Sequence, residues 1–311
     1  MSTLSIQLFG KFCVRRNEQL LDGFDARKVQ ELFCYLLLHR DHSLSREALA
    51  SLLWPETTTS LSKKNLRQAL WQLQSALGSQ NEALHERVLL VEPEWVQLNP
   101  EADLWLDVVA FEQTCALVQK IAGQDMDSHS AQRVQEAIQL YQGPLLEGWY
   151  QDWCIQEREG LQNHYLSMLD KLMSYCEVRH DYEASLLYGM RIMCYDRARE
   201  RTHRRMMRLY YLLGDRAEAL RQYERCATAL DEELGVSPSK STLALYRQIQ
   251  ADQLEEPPIV LTEADTGQEL QTPPLRDILG QLSHLQRSLV ALQNEVEQSI
   301  QIVELALNNS G

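Results

Sequence analysis

The apolar residues of the first hundred positions change their spacing in a fixed order, and that order limits the folds open to the chain. Alternating apolar residues between positions 4 and 22 predict a short antiparallel sheet. Helical spacing over residues 27–40 then predicts an amphipathic helix that packs on this sheet. A second helix is predicted between the capping residue Ser45 and the helix-stopping Pro55.

A third helix and a hairpin complete this segment. Helical spacing over about 60–77 ends at Gly78, a residue type that commonly closes helices. Two short strands are predicted at 88–91 and 95–98, joined by a turn at Pro93. A sheet, three helices and a terminal hairpin are the order of a winged-helix domain. In such a domain the second helix of the helix-turn-helix pair enters the major groove of DNA.

The predicted third helix separates apolar from polar side chains when it is projected at about 100° per residue. Leucines and alanines gather in one arc. The opposite arc holds Lys63, Lys64, Arg67, Gln68, Trp71, Gln74 and Ser75. Between Ser60 and Asn81 the chain has three cations and no anion, so this face attracts phosphate even in a protein with a net charge of −14.

Two interpretations of the polar face are open. In the first it contacts DNA, because Arg67 and Gln68 have the geometry to read guanine or adenine edges and the lysines suit phosphates. In the second it is a solvated surface. Trp71 carries the same ambiguity: it packs on sugar or thymine methyl groups, or it packs against the wing or the neighbouring domain.

Residues 101–252 are helical in pattern almost throughout. An Ala-x-x-x-Tyr motif recurs at Ala137, Ala184 and Ala219, and the last two instances are separated by about the period of a tetratricopeptide repeat. The pattern predicts an all-helical repeat domain of the tetratricopeptide type. The cation-rich stretch 197–208 is interpreted as a solvated or ion-paired helix face, with DNA contact as the alternative.

The last part of the chain has a different composition. Two Pro-Pro pairs bracket an acidic segment that predicts a linker over 254–274. Apolar residues at alternating spacings of four and three then predict a coiled-coil-like helix over 275–307 that joins copies of the chain. The alternative is a helix that folds back on the repeats.

Motifs for catalysis, cofactors or metals are absent from the sequence. The seven cysteines form no CxxC pair, and there is no glycine-rich phosphate loop, GxSxG or HExxH. We therefore expect no catalytic, cofactor-binding or metal site. Neither a signal peptide nor an apolar run of membrane-spanning length is visible, so we expect a cytoplasmic protein without membrane partners.

Several stretches resemble the SARP-type bacterial transcriptional activators, which join an OmpR-like winged helix to a tetratricopeptide-like bacterial transcriptional activation domain. The resemblance covers about residues 4–250, and its most specific pieces are Trp54-Pro55 and the element at 234–239. The stretches that carry it are "RKVQELFCYLLLH", "LSREALASLLWP", "KKNLRQALWQLQSALG", "LYQGPLLEGWYQDWCIQEREGL", "YDRARERTHRRMMRLYYLLGDRAEALRQYERC" and "LDEELGVSPSKSTLALYRQI".

The resemblance implies sequence-specific binding to direct repeats of double-stranded DNA, often as a side-by-side dimer, and recruitment of RNA polymerase. It implies DNA contacts by Lys63, Lys64, Arg67, Gln68 and Trp71, to which the helical projection adds Gln74. It also implies a polymerase-facing loop formed by Glu56, Thr57, Thr58, Thr59 and Ser60. The sequence departs from the family at the wing, where the turn is the acidic Glu92-Pro93-Glu94, so we expect affinity to depend mainly on the third helix.

The predicted fold is therefore mainly α. A winged-helix DNA-binding domain (1–100) with a small β-sheet and a wing hairpin precedes a tetratricopeptide-like activation domain (101–253). The linker and the heptad helix follow. The predicted function is a DNA-binding transcriptional activator that recruits RNA polymerase. The alternative is a protein-interaction scaffold whose winged helix binds protein.

Overall fold

The computed structural model describes residues 4–78 and 87–254. Met1–Glu255 form one compact unit. The predicted linker and heptad helix fall outside the described residues, apart from the first position of the linker. The domain boundaries and the oligomerisation helix therefore remain predictions.

The N-terminal sheet has four strands in the order β3-β2-β1-β7. Strands β1 (Leu4–Gln7), β2 (Cys13–Arg16) and β3 (Gln19–Leu20) are antiparallel, as the alternation predicts. The fourth strand, β7 (Leu104–Leu106), runs parallel to β1 and was not predicted. Because β7 has three residues, its alternation is too short to stand out from the helical pattern that follows.

The winged-helix arrangement is confirmed. Helices α1 (Arg27–Leu38), α2 (Arg46–Leu53) and α3 (Thr59–Ala76) precede the hairpin of β5 (Leu89–Val91) and β6 (Trp95–Leu98). A strand that was not predicted, β4 (Leu44–Ser45), pairs with β6 and completes a three-stranded wing sheet. A strand of two residues is too short to show an alternation of apolar and polar residues. The sequence therefore indicates only a capping role for Ser45.

The second half of the unit is helical, as predicted. Its helices are α4 (Asp107–Val118), α5 (Ser128–Leu140), α6 (Asp152–Val178), α7 (Tyr182–Met193), α8 (Glu200–Leu212), α9 (Arg216–Leu234) and α10 (Lys240–Gln250). Successive helices pack against one another, as in tetratricopeptide repeats.

Two of the three Ala-x-x-x-Tyr motifs occupy equivalent positions in the structure, and the first does not. Helices α5, α7 and α9 each begin after an aspartate whose carboxylate accepts a backbone N–H: Asp127, Asp181 and Asp215. The motif alanines Ala184 and Ala219 lie near these helix starts. Ala137 lies instead near the end of α5, and its tyrosine caps that helix, so the first instance is not the structural counterpart of the other two.

A buried carboxylate joins the winged helix to the helical half. Asp107, the first residue of α4, is 3% exposed. Its oxygens accept the backbone N–H of Leu8 at 2.9 Å, of Phe9 at 2.9 Å and of Val108 at 2.7 Å. Burial raises the pKa of Asp107, and these N–H donors oppose the shift by stabilising the charged form. The carboxylate therefore fixes the residues after β1 to the start of α4.

A second set of contacts joins α1 to the segment before α6. The Arg27 guanidinium lies 3.7 Å from the ring centroid of Trp149, which is buried. Glu31 is also buried; it pairs with Lys28 at 2.7 Å and accepts a hydrogen bond from Gln151 at 2.9 Å. The helices that carry the candidate DNA-binding face are thus held against the helical half of the unit.

The cation-rich stretch 197–208, which includes the first part of α8, is an ion-paired face. Arg205 contacts Asp170 at 2.7 Å and Glu177 at 2.9 Å, and Arg197 contacts Glu232 at 3.1 Å. These contacts agree with the interpretation of this stretch as an ion-paired face.

A buried histidine in α8 links two further helical segments. His203 is 4% exposed; its Nε2 lies 2.8 Å from the carbonyl oxygen of Arg197, and its Nδ1 lies 2.8 Å from Nε2 of Gln222. A donating Gln222 amide and an accepting carbonyl fit a neutral ring with its proton on Nε2. Burial lowers the pKa of His203, with the nearby Arg225 acting in the same direction.

We expect His203 to make the stability of the protein depend on pH. Because its pKa is lower in the folded chain, the stabilisation is present above the ordinary histidine value of 6.5 and is lost as pH falls through the folded value. Thermal unfolding between pH 7.5 and 5 should therefore show a smaller pH dependence for His203→Gln than for the wild type. The exposed His129→Gln should keep the wild-type dependence; equal curves for all three proteins would contradict this role.

Candidate nucleic-acid interface

Helix α3 presents the predicted polar face to solvent. Its opposite face is buried through Leu66, Leu70 and Leu73, which pack in the core against α1 and α2. Five of the six predicted DNA-binding residues are exposed and one, Gln74, is half-buried. The exposed ones are Lys63, Lys64, Arg67, Gln68 and Trp71. The structure therefore brings the predicted residues together along one side of a single helix.

The start of α3 is favourable for an anion. The helix begins after Thr58, which makes no side-chain cap, and the first turn has no acidic residue. The positive end of the helix dipole is consequently not neutralised by the helix's own side chains. Lys63 and Lys64 add positive charge near this end, so the face suits a phosphate backbone.

A groove of about 740 Å³ separates α3 from the wing turn and the start of α2. Its cations are Arg46, Lys63 and Arg67, and its anions are Glu47 and Glu94. Lys63 is already engaged, since its Nζ lies 2.9 Å from Glu47. Arg67 makes no ion pair within the described ranges, so it is the cation on this side of α3 that is available to a base edge.

The wing turn is held in place by Arg46. Its backbone N–H donates to the carbonyl of Glu94 at 2.9 Å, and its guanidinium donates to the carbonyl of Glu92 at 3.0 Å. Both glutamates are exposed at the turn. An exposed acidic turn is unfavourable next to phosphates, which agrees with the expectation that the helix contributes more to affinity than the wing.

Sequence analysis did not identify two residues of this groove, Arg46 and the 45% exposed Trp95. Arg46 directly follows the predicted cap Ser45, and its local sequence gives no sign of a binding role. Trp95 begins β6 and was interpreted as a strand residue. The pairing of β4 with β6 places both beside α3, and that pairing is not visible in the sequence.

Trp71 belongs to the exposed face and not to the core. Its side chain is 61% exposed and lies beside a groove of about 460 Å³ shared with residues 22–26. Asp22 and Asp25 line the same groove. The loop approaches α3 closely at Gly23, where φ is +94° and an added Cβ would meet the Cβ of Ala76 at 2.9 Å. The ring therefore lies next to the loop before α1.

We expect Trp71→Ala to separate the two interpretations of this residue. Because most of the ring is exposed, its removal should change the melting temperature little while lowering DNA affinity by about tenfold, through loss of an apolar contact worth about 1–2 kcal/mol. Fluorescence anisotropy of a labelled duplex and thermal unfolding measure the two quantities. A lower melting temperature with unchanged affinity would assign the residue to the fold.

The predicted polymerase-facing loop is shorter than expected. Glu56, Thr57 and Thr58 lie between α2 and α3, whereas Thr59 and Ser60 form the first turn of α3. Thr58 is extended, with ψ 150°, and its carbonyl accepts the N–H of Ser62 at 2.9 Å, so the helix begins at Thr59. Thr57 is half-buried, and the other four predicted residues are exposed.

Metal sites and membrane spans are absent from the part of the chain that the structure describes. Within residues 4–78 and 87–254, no group of three or more His, Cys, Asp and Glu side chains could hold a metal ion. No helix in these ranges is both long and apolar enough to cross a membrane.

Comparisons with known proteins bear on both halves of the unit. Residues 106–250 match the family model of the bacterial transcriptional activator domain, a regulatory rather than an enzymatic family.

Among solved structures, the chain is similar to Mycobacterium tuberculosis EmbR, solved in complex with a low affinity phosphopeptide. The TM-score is 0.61 at 19% identity, and the match covers 82% of this chain and 67% of that chain. At this identity the likeness shows a shared fold. No curated protein matched the chain in the sequence comparison. Residues 106–250 are therefore similar to a bacterial transcriptional activator domain, which supports a role in transcription regulation.

Proposed function

We propose that the chain binds double-stranded DNA sequence-specifically through the exposed face of α3 and activates transcription from the bound promoter. The observation that carries the proposal is the solvent-facing set of Lys64, Arg67, Gln68 and Trp71 on the third helix of a winged-helix arrangement. An activator domain is held firmly against that arrangement, through Asp107 among other contacts. Binding at one surface therefore fixes the position of the other domain on the promoter.

The residues divide by role. Lys64 and the start of α3 bind phosphates and set the register of the helix on the duplex. Arg67 and Gln68 read base edges in the major groove, and Trp71 makes an apolar contact on the same side. Residues 56–60, in the loop before α3 and its first turn, face RNA polymerase. The protein binds repeated sites as a dimer, as the family resemblance implies.

Salt dependence tests whether DNA binding has the expected electrostatic origin. Each phosphate neutralised by a cation contributes a slope of about −0.9 to a plot of log K against log salt concentration. Lys64→Ala should lower affinity for all duplexes and reduce the slope by about one per protomer. Lys120→Ala, which removes an exposed lysine in the activator domain, should leave the slope unchanged.

A second candidate function is a protein-interaction scaffold. It is favoured by the exposed Glu92 and Glu94 of the wing turn and by the pairing of Lys63 with Glu47, which lowers the positive charge of the face. If the wild-type plot of log K against log salt concentration has a slope near zero, or if no duplex binding is measurable at low salt, this function is favoured over the first.

A further inference from the structure

A pocket in the activator domain is distinct from the candidate DNA-binding face. It has a volume of about 530 Å³ and lies between the end of α5, the middle of α6 and the end of α7. Tyr141, Tyr165 and Tyr195 form its aromatic walls, and Arg191 is the charged residue among the described ones that line it. Neither sequence analysis nor the proposed DNA binding assigns a role to this site.

Two of the three tyrosine rings are stacked, and the third is nearly perpendicular to them. Tyr141 and Tyr165 stack with ring centroids 4.1 Å apart and an interplanar angle of 15°. Tyr195 meets Tyr165 edge-on, with centroids 5.4 Å apart and an angle of 71°. Tyr195 is 36% exposed, so a planar molecule in the pocket has an aromatic surface on which to pack.

The hydroxyl of Tyr141 is unusual for a buried tyrosine. The residue is 4% exposed, and its hydroxyl has no hydrogen-bond partner within the part of the chain that is described. By contrast, Tyr188 on α7 accepts a hydrogen bond from Gln135 at 3.1 Å. A buried hydroxyl without a partner is unfavourable, so a polar ligand atom that reaches it is stabilised.

Arg191 supplies the charge. It is exposed, its guanidinium lies 5.8 Å from the ring centroid of Tyr165, and it makes no ion pair among the described residues. None of the described residues that line the pocket carries a carboxylate, although the chain as a whole has a net charge of −14. A guanidinium next to aromatic rings, without a competing acid, favours a planar carboxylate.

We propose that this tyrosine pocket binds a small aromatic carboxylate. The ligand ring packs on the exposed part of Tyr195, its carboxylate pairs with Arg191, and the Tyr141 hydroxyl gains a polar partner. The pocket volume lies within the range of small-molecule sites. This binding does not depend on the proposed DNA-binding function and is measured without DNA.

Isothermal titration calorimetry of the full chain with 2-naphthoate tests the proposal. One molecule should bind per chain, with a dissociation constant below about 1 mM. The neutral 2-naphthylmethanol, which keeps the rings and lacks the charge, should bind at least about fivefold more weakly. Cyclohexanecarboxylate, which keeps the charge and lacks the aromatic ring, should be weakened to a similar extent.

Two variants assign the binding to this pocket. Arg191→Gln should weaken 2-naphthoate about tenfold and remove the preference over the neutral alcohol. Tyr141→Phe, which deletes one oxygen, should weaken it about fivefold. The exposed Arg133→Gln and Tyr150→Phe serve as matched controls and should bind as the wild type does.

The outcomes decide the proposal. Absence of saturable 2-naphthoate binding to the wild type would overturn it, and so would an unchanged dissociation constant in Arg191→Gln. Because Arg191 is exposed, its variant is expected to fold, so it remains informative if Tyr141→Phe unfolds.

Discussion

Replacing Arg67 by alanine should lower affinity for the specific duplex by about 10- to 100-fold, which corresponds to the 1–3 kcal/mol of a bidentate base contact. The side chain is exposed on α3 and lines the groove beside the wing. Because it is not part of the core, the variant should unfold at a temperature close to that of the wild type. Affinity for unrelated duplexes should fall much less, since one phosphate-type interaction is lost among several.

Two further variants help to interpret the duplex affinity of Arg67→Ala. Arg133→Gln changes an exposed arginine of α5 and should leave duplex binding intact. Gln68→Ala lies one position further along the same face and should relax specificity at a neighbouring base. Retention of specific binding by a folded Arg67→Ala protein would remove α3 from the role of recognition helix.

Replacing Asp107 by alanine should have the largest effect on stability. The substitution leaves the N–H groups of Leu8, Phe9 and Val108 buried without their acceptor. Each unsatisfied donor costs about 1–3 kcal/mol, and removal of a buried charge offsets part of this, so we expect a loss of about 3 kcal/mol. Urea unfolding followed by circular dichroism measures the change in free energy.

A matched aspartate separates this contact from a general helix-start effect. Asp152 also begins a helix, α6, but it is exposed, so Asp152→Ala should cost only about 0.5 kcal/mol through the helix dipole. Equal losses for the two variants would mean that Asp107 acts only as a helix-start charge and not as a link between β1 and α4.

The sequence predicts the helices of this fold well because their signals are local. The buried leucines of α3 recur with a regular period, so the spacing of the apolar residues alone locates the opposite face with Arg67. The strand pairs are harder to predict from the sequence. Strands β4 and β7 are too short to show an alternating pattern, and β7 pairs with a strand about a hundred residues earlier. Element order alone therefore predicts the winged helix but not the full sheets.

Contacts between distant segments account for what the sequence did not predict about the candidate site. Arg46 and Trp95 come beside α3 only because β4 pairs with β6. The acceptor role of Asp107 depends on residues 98 and 99 positions away. A carboxylate at the start of a helix is usually a local feature, and nothing in its neighbours indicates a long-range contact.

The two halves of the unit give a physical basis for regulation. Arg27 and Glu31 of α1 contact Trp149 and Gln151 of the activator domain. Movement of the winged helix would therefore require the helical half to move with it or these contacts to break. If α3 binds a promoter as proposed, this fixed geometry would hold the loop at Glu56 in a defined position on it.

Sequence-specific recognition through α3 can be measured by selection from a random library of duplexes with the full chain, followed by sequencing of the bound fraction. We predict that the wild-type protein enriches a defined motif. The folded Arg67→Ala variant should lose the motif or relax it at one or more base positions. A folded wild-type chain that enriches no sequence at low salt, or an Arg67→Ala variant that enriches the same motif equally well, would contradict recognition through this helix.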